Sequence, residues 1–228
     1  MLPHRHGCHL SDPSPSPQRP IRPFKQLTRT TPKIAEMESI WGEIGRYSDG
    51  TAALVVSAWI DRHLEEAIKL NLVTYLTETE VGSFFINQGI LESIGAKTKL
   101  AHGLGIIGPI TRDGITSTTQ IRNVFAHSPE IVNFETKEIV ERCKGLSFIK
   151  SINAAKFRMF VSALDTGETA KEMYMATCVS LVTMLLIYQT EFETEKYLRE
   201  QLANATERGE WLDLMAGIDR LSSKPVLP

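Results

Sequence analysis

The segment MYMATCVSLVTMLLIYQTEF, residues 173–192, is apolar for about 16 residues and is relieved only by the small hydroxyls of Thr177, Ser180 and Thr183. A run of that length limits what the chain can become. It is too long for an ordinary strand and shorter than the roughly 20 predominantly apolar residues that a membrane-crossing helix needs. A helix that is apolar on most sides must be covered on most sides, which makes this segment the central helix of a bundle, within a final long helix from Glu168 to about Arg199.

The surrounding sequence has the same period. In AALVVSAWIDRHLEEAIKL, Ala53, Val56, Ile60, Leu64, Ala67 and Ile68 recur at helical spacing, while Asp61, Arg62, Glu65 and Glu66 make a polar face; Asp49 or Thr51 is the expected cap. A second helical unit passes through GILESIGAKTKLAHGLGII, with Leu91, Ile94, Thr98, Ala101 and Leu104 on one side, and stops at Gly108-Pro109. FETKEIVERCKGL carries acid early, base late and Gly145 beyond, the order that helix dipole and cap favour. Phe157, Phe160, Val161 and Leu164 mark a further helix. Alternation of strand type is weak throughout. The expected fold is an all-α, single-domain helical bundle over residues 34–200, with a short C-terminal tail at 201–228.

Charge separates that bundle from what precedes it. Residues 1–33 hold six basic residues against Asp12 alone, and are rich in proline and serine; the rest holds 19 basic against 26 acidic residues. A leader without apolar periodicity cannot offset its own ordering entropy, so it is expected to be disordered, and Met37 offers an alternative start. His4, His6, Cys8 and His9 are crowded without the loop that structural zinc sites use, so no metal is assigned there. Three widely spaced cysteines and no signal-peptide pattern point to a reducing, cytoplasmic setting, with no membrane and no cofactor. The acidic bundle argues against a broad DNA-binding face, and no helix-turn-helix recognition element is visible.

One stretch carries chemistry. In TSTTQIRNVFAHSP, Ile121, Val124 and Phe125 share a core face, while Asn123 and His127 are four residues apart on a second face with Arg122 beside them. Pro129 ends the helix at Ser128, leaving His127 in its last turn, where the dipole favours a cation. Two uses fit. Asn123, His127 and the freed carbonyls could form a satisfied polar network that fixes helix packing. Alternatively, the site could handle a phosphate, with Arg122 supplying a bidentate fork and the charge that offsets the unfavourable helix dipole. His63 and His102 fit surface or packing positions, and Glu92 and the Glu65/Glu66 pair fit solvated faces.

At these residues the sequence resembles the mannitol operon repressor (MltR) family. The resemblance runs over about residues 48–146. It rests on Gly89, Leu91, Ser93 and Lys97, then on the Leu100-Ala101 and Leu104-Gly105 pairs. It continues through Ile121-Arg122-Asn123, Phe125-Ala126-His127, and Phe134, Ile139, Cys143 and Leu146. It implies a transcriptional regulator acting through a protein partner or a small ligand, with Arg122, Asn123, His127, Lys97 and Ser93 as the candidate binding residues and a homodimer as one arrangement. The same Arg122, Asn123 and His127 also resemble the signature of the broader HEPN class of helical domains. That second resemblance implies metal-independent RNA cleavage across a dimer interface. His127 would act on the 2′-hydroxyl or leaving oxygen, Arg122 on the developing phosphorane charge, and Asn123 as orienter of the histidine.

Overall fold

The computed structural model describes residues 42–72, 76–86, 88–146, 169–204 and 208–222, all within the unit that spans residues 31–228. The expected leader, its histidines and Cys8, and the expected helix at 157–164 lie outside the described residues. Among the described residues there is no strand. After a short helical turn at 42–44 come α1 (Asp49–Leu72), α2 (Glu78–Ser83), α3 (Ile94–Gly103), α4 (Pro109–His127), α5 (Lys137–Lys144), α6 (Ala170–Asn204) and α7 (Arg208–Ser222).

The apolar segment is the spine of the bundle. Tyr174, Cys178, Leu181, Val182 and Leu185 of α6 are fully buried in one cluster with Val56, Ile60, Leu64 and Ile68 of α1. Each such Leu or Ile contributes about 1.5–3 kcal/mol relative to exposure, so this seam dominates the stability. Polar contacts set its direction: Lys171 pairs with Asp49 at 3.1 Å, the Tyr174 hydroxyl donates to the Ala53 carbonyl at 3.2 Å, and the Asn71 amide donates to the Tyr188 hydroxyl at 2.9 Å. These contacts ascend both helices together, so α1 and α6 are parallel. Length and apolarity alone would let α6 cross a membrane, but 67% of its apolar window is buried inside the protein.

Several boundaries differ from the sequence expectation. The cap of α1 is Ser48, whose carbonyl accepts from Ala52 N–H at 2.8 Å and whose hydroxyl lies 3.4 Å from Thr51 N–H; it is neither Asp49 nor Thr51. Asp49 is used across the fold instead, accepting the Phe134 N–H at 2.8 Å. α2 is an addition, set by a capping box in which Thr77 and Glu80 satisfy each other's backbone donors. Within the stretch 201–228, expected to be a tail, residues 201–204 and 208–222 are helical. α6 runs on to Asn204, and α7 folds back on it, with Ile218 4% exposed and Gly217 so close to Leu198 that a methyl group there would lie 3.2 Å from that side chain.

Candidate functional site

α4 places the chemical residues. Pro109 opens it, where its missing N–H costs nothing, and Pro129 closes it, leaving Ser128 in extended backbone. Thr111, Ile115, Thr118 and Ile121 face inward, and the Thr118 hydroxyl donates to the Gly114 carbonyl at 3.0 Å. Asp113, Thr116, Gln120, Asn123 and His127, each three or four residues after the last, form an exposed polar stripe.

Burial corrects the expected polar network. Asn123 and His127 are exposed, and the His127 imidazole has no hydrogen-bond or ion-pair partner among the described residues. Half-buried Arg122 donates from Nη1 to Asn123 Oδ1 at 3.0 Å, so the amide is oriented by the guanidinium rather than by the imidazole. Arg122 also reaches electrostatically toward Tyr174, whose hydroxyl is pushed up by burial and by Cys178 while the Arg122 charge works the other way. Val124 departs from the expected core face: it is 43% exposed. Phe125 does turn inward, its ring 4.8 Å from Phe134, which in turn lies 5.4 Å from Tyr174.

Ser93 and Lys97 do not join this site. Ser93 caps α3, accepting the Ala96 N–H at 3.1 Å. Lys97 is 2% exposed and is directed at α1, where its ammonium donates to both Asp61 oxygens at 3.0 and 2.9 Å and to Glu65 at 3.1 Å. Glu65 is therefore no solvated surface residue. Burial raises its carboxyl pKa, but hydrogen bonds from Lys69 and Lys97 outweigh burial and hold it low. The network continues to Arg62, 2.7 Å from Glu65, and to Phe85, whose ring lies under both Lys69 and Lys97. A buried cation satisfied by two carboxylates ties α3 to α1 and leaves no donor for a ligand.

Other members of the resembling pattern also have folding tasks. A side chain on Gly89 would collide with the Phe84 and Ser83 carbonyls, Gly105 adopts a φ of 73°, and Leu91, Ala101, Ile121, Phe134, Ile139, Cys143 and Leu146 are buried. Of the polar members, Asn123 and His127 are exposed and do not cap, turn or pack the core; Leu104 and Ala126 of the same pattern are exposed as well.

One feature that the sequence did not reveal lies beside the site, and another, the burial of His63, lies on α1. A groove of about 230 Å³ runs between α4 and α5, lined by Gln120, Ile121, Val124, Glu138, Ile139 and Arg142. His63, far from the surface at 2% exposure, has neither ring nitrogen hydrogen-bonded among the described residues. No signal in one sequence separates that buried histidine from an exposed one. Among the described residues no group of three or more His, Cys, Asp or Glu side chains is placed to hold a metal ion. Comparison with protein-family models, curated proteins and solved structures finds no match for this chain.

Proposed function

We propose that the protein is a cytoplasmic regulator similar to the mannitol operon repressor family, and that it acts by presenting Arg122, Asn123 and His127 to a protein partner or small ligand rather than by placing a recognition helix in DNA. One observation carries the reading: Asn123 and His127 stand exposed at the end of α4, while most of the pattern that surrounds them is consumed by caps, turns and core. Exposed polar residues that do not serve folding are available for recognition. The test is expression profiling of cells producing the wild-type chain or the Asn123→Ala/His127→Ala variant at equal abundance. The reading expects transcripts that respond to the wild type to lose their response to the variant. Equal responses would contradict it, as would tight, sequence-selective, salt-tolerant duplex binding by residues 34–228.

Exposure also favours a second reading, metal-independent RNA cleavage, more than a buried histidine would. An imidazole that is free to meet solvent, five positions along the same helix from a guanidinium, offers the two groups that such a reaction requires. Cleavage of RNA in the presence of a chelator by the wild type, lost in His127→Ala, would support this reading over regulation through a partner.

A further inference from the structure

The groove between α4 and α5 is lined by residues of two kinds. Ile121 and Ile139 are buried and Val124 is 43% exposed, which makes a floor of branched aliphatic side chains. Gln120, Glu138 and Arg142 are exposed and make the rim. Glu138 and Arg142 stand one turn apart on α5, a spacing at which opposite charges often close on each other. Here they do not: neither side chain has an ion-pair or hydrogen-bond partner among the described residues, and the Gln120 amide has none either.

That combination selects among ligands. An apolar molecule would gain nothing from the rim charges. An anion would suit Arg142 and meet Glu138, and a cation would meet the reverse conflict. A zwitterion whose ammonium and carboxylate share one carbon answers both rim charges at once, while an aliphatic tail on the same carbon reaches the floor. Size agrees: at about 230 Å³ the groove is smaller than the roughly 300–1,000 Å³ of sites for drug-sized molecules, and it suits one branched aliphatic tail with a compact head.

We infer that the groove binds a free aliphatic α-amino acid of the leucine or isoleucine class. The tail lies on Ile121, Val124 and Ile139, the ammonium meets Glu138, and the Arg142 fork takes the carboxylate; the Gln120 amide, donor and acceptor both, completes the head from the α4 side. A residue inside a peptide carries neither head charge, so the rim favours the free amino acid over a docked segment. The inference goes beyond the functional readings above. None of its residues belongs to the Arg122, Asn123 and His127 set, so its failure would leave those readings standing.

The test is titration of the full chain, with labelled methyl groups, against L-leucine, followed by nuclear magnetic resonance. The expected result is a saturable set of shifts centred on the methyl groups of Ile121, Val124 and Ile139, with a roughly millimolar Kd for so small a ligand on an open rim. Isocaproate, which lacks the ammonium, and isoamylamine, which lacks the carboxylate, should each bind about two- to fivefold more weakly, the yield of a solvent-exposed ion pair. Glu138→Gln should erase the advantage of leucine over isocaproate, and Arg142→Gln its advantage over isoamylamine. Both positions are exposed, so circular dichroism should show wild-type melting. No saturable shift at the groove would overturn the inference. So would equal binding of the three probes, which would make the groove a plain apolar cleft, or equal binding of leucine capped at both ends as in a peptide, which would make it a seat for a chain segment.

Discussion

Replacing His63 by leucine should make the protein more stable and remove much of its acid sensitivity. His63 sits on the α1 face that meets α6, with both ring nitrogens buried and unpartnered among the described residues; Gln189 spends its amide donor on the His63 backbone carbonyl, at 2.8 Å. Leaving such a group unsatisfied costs about 1–3 kcal/mol, which leucine, of similar size, avoids. Burial also lowers the imidazole pKa from 6.5 to about 4, against the opposing pull of Gln189 and Glu66 and with a smaller push from Arg62. The sign follows directly. Above pH 6.5 the ring is neutral whether the chain is folded or not, and the stability is intact. As pH falls from 6.5 to 4 the unfolded chain takes up a proton that the folded one refuses, and about 3 kcal/mol is lost. Carboxylates held low in the folded state, such as Glu65, also lose stabilisation in acid, but they do so equally in both proteins. The assay is therefore the difference in urea-unfolding free energy between wild type and His63→Leu at pH 7.5, 6, 5 and 4.5. The variant should lead at pH 7.5, and its lead should widen steadily below pH 6.5. Parallel profiles would refute the reasoning, because they would mean that His63 accepts its proton as easily folded as unfolded.

Three further outcomes follow from the described contacts. Lys97→Ala should destabilise by about 2–3 kcal/mol in chemical denaturation, less than a fully buried ion pair because Glu65 keeps Arg62 and Lys69 and Asp61 is partly exposed; Lys97→Met, which restores the packing, should cost less. Gly89→Ala should lower the melting temperature by several degrees, since its methyl group would meet the Phe84 carbonyl, which accepts the Leu91 N–H at 2.8 Å and cannot retreat without breaking that bond. Cys143 and Cys178 should resist thiol reagents in the native protein and react on unfolding, because burial pushes Cys143 up to about 12 and Cys178 higher still; rapid native labelling of either, read by mass spectrometry, would contradict their placement.

Periodicity made the helical class legible, because Val56, Ile60, Leu64 and Ile68 repeat at the spacing of one helix face and the run from Met173 to Tyr188 needs cover on most sides. Ends were less legible, since Ser48, Asp49 and Thr51 are all competent caps and only the tertiary demand for Asp49 at the Phe134 N–H decides among them. α7 escaped notice because Leu214, Met215 and Ile218 form too short an apolar stripe to stand out without the α6 extension that supports it. The residues of the candidate site were found on α4, but their burial was not. Asn123 and His127 four residues apart look the same in sequence whether they face a neighbouring helix or solvent. Lys97 and Glu65 were misplaced for the converse reason: an ion pair that spans 32 positions leaves no local trace.

The central proposal is that Asn123 and His127 at the end of α4 are free of folding tasks and available for recognition, and the unfolding free energy of His127→Ala tests its first half most directly. An exposed imidazole without a partner predicts a change within about 0.5 kcal/mol of wild type, with the melting curve and helical content preserved. A loss of 1–3 kcal/mol, the size expected when buried polar partners are orphaned, would place His127 in a structural network and contradict the account.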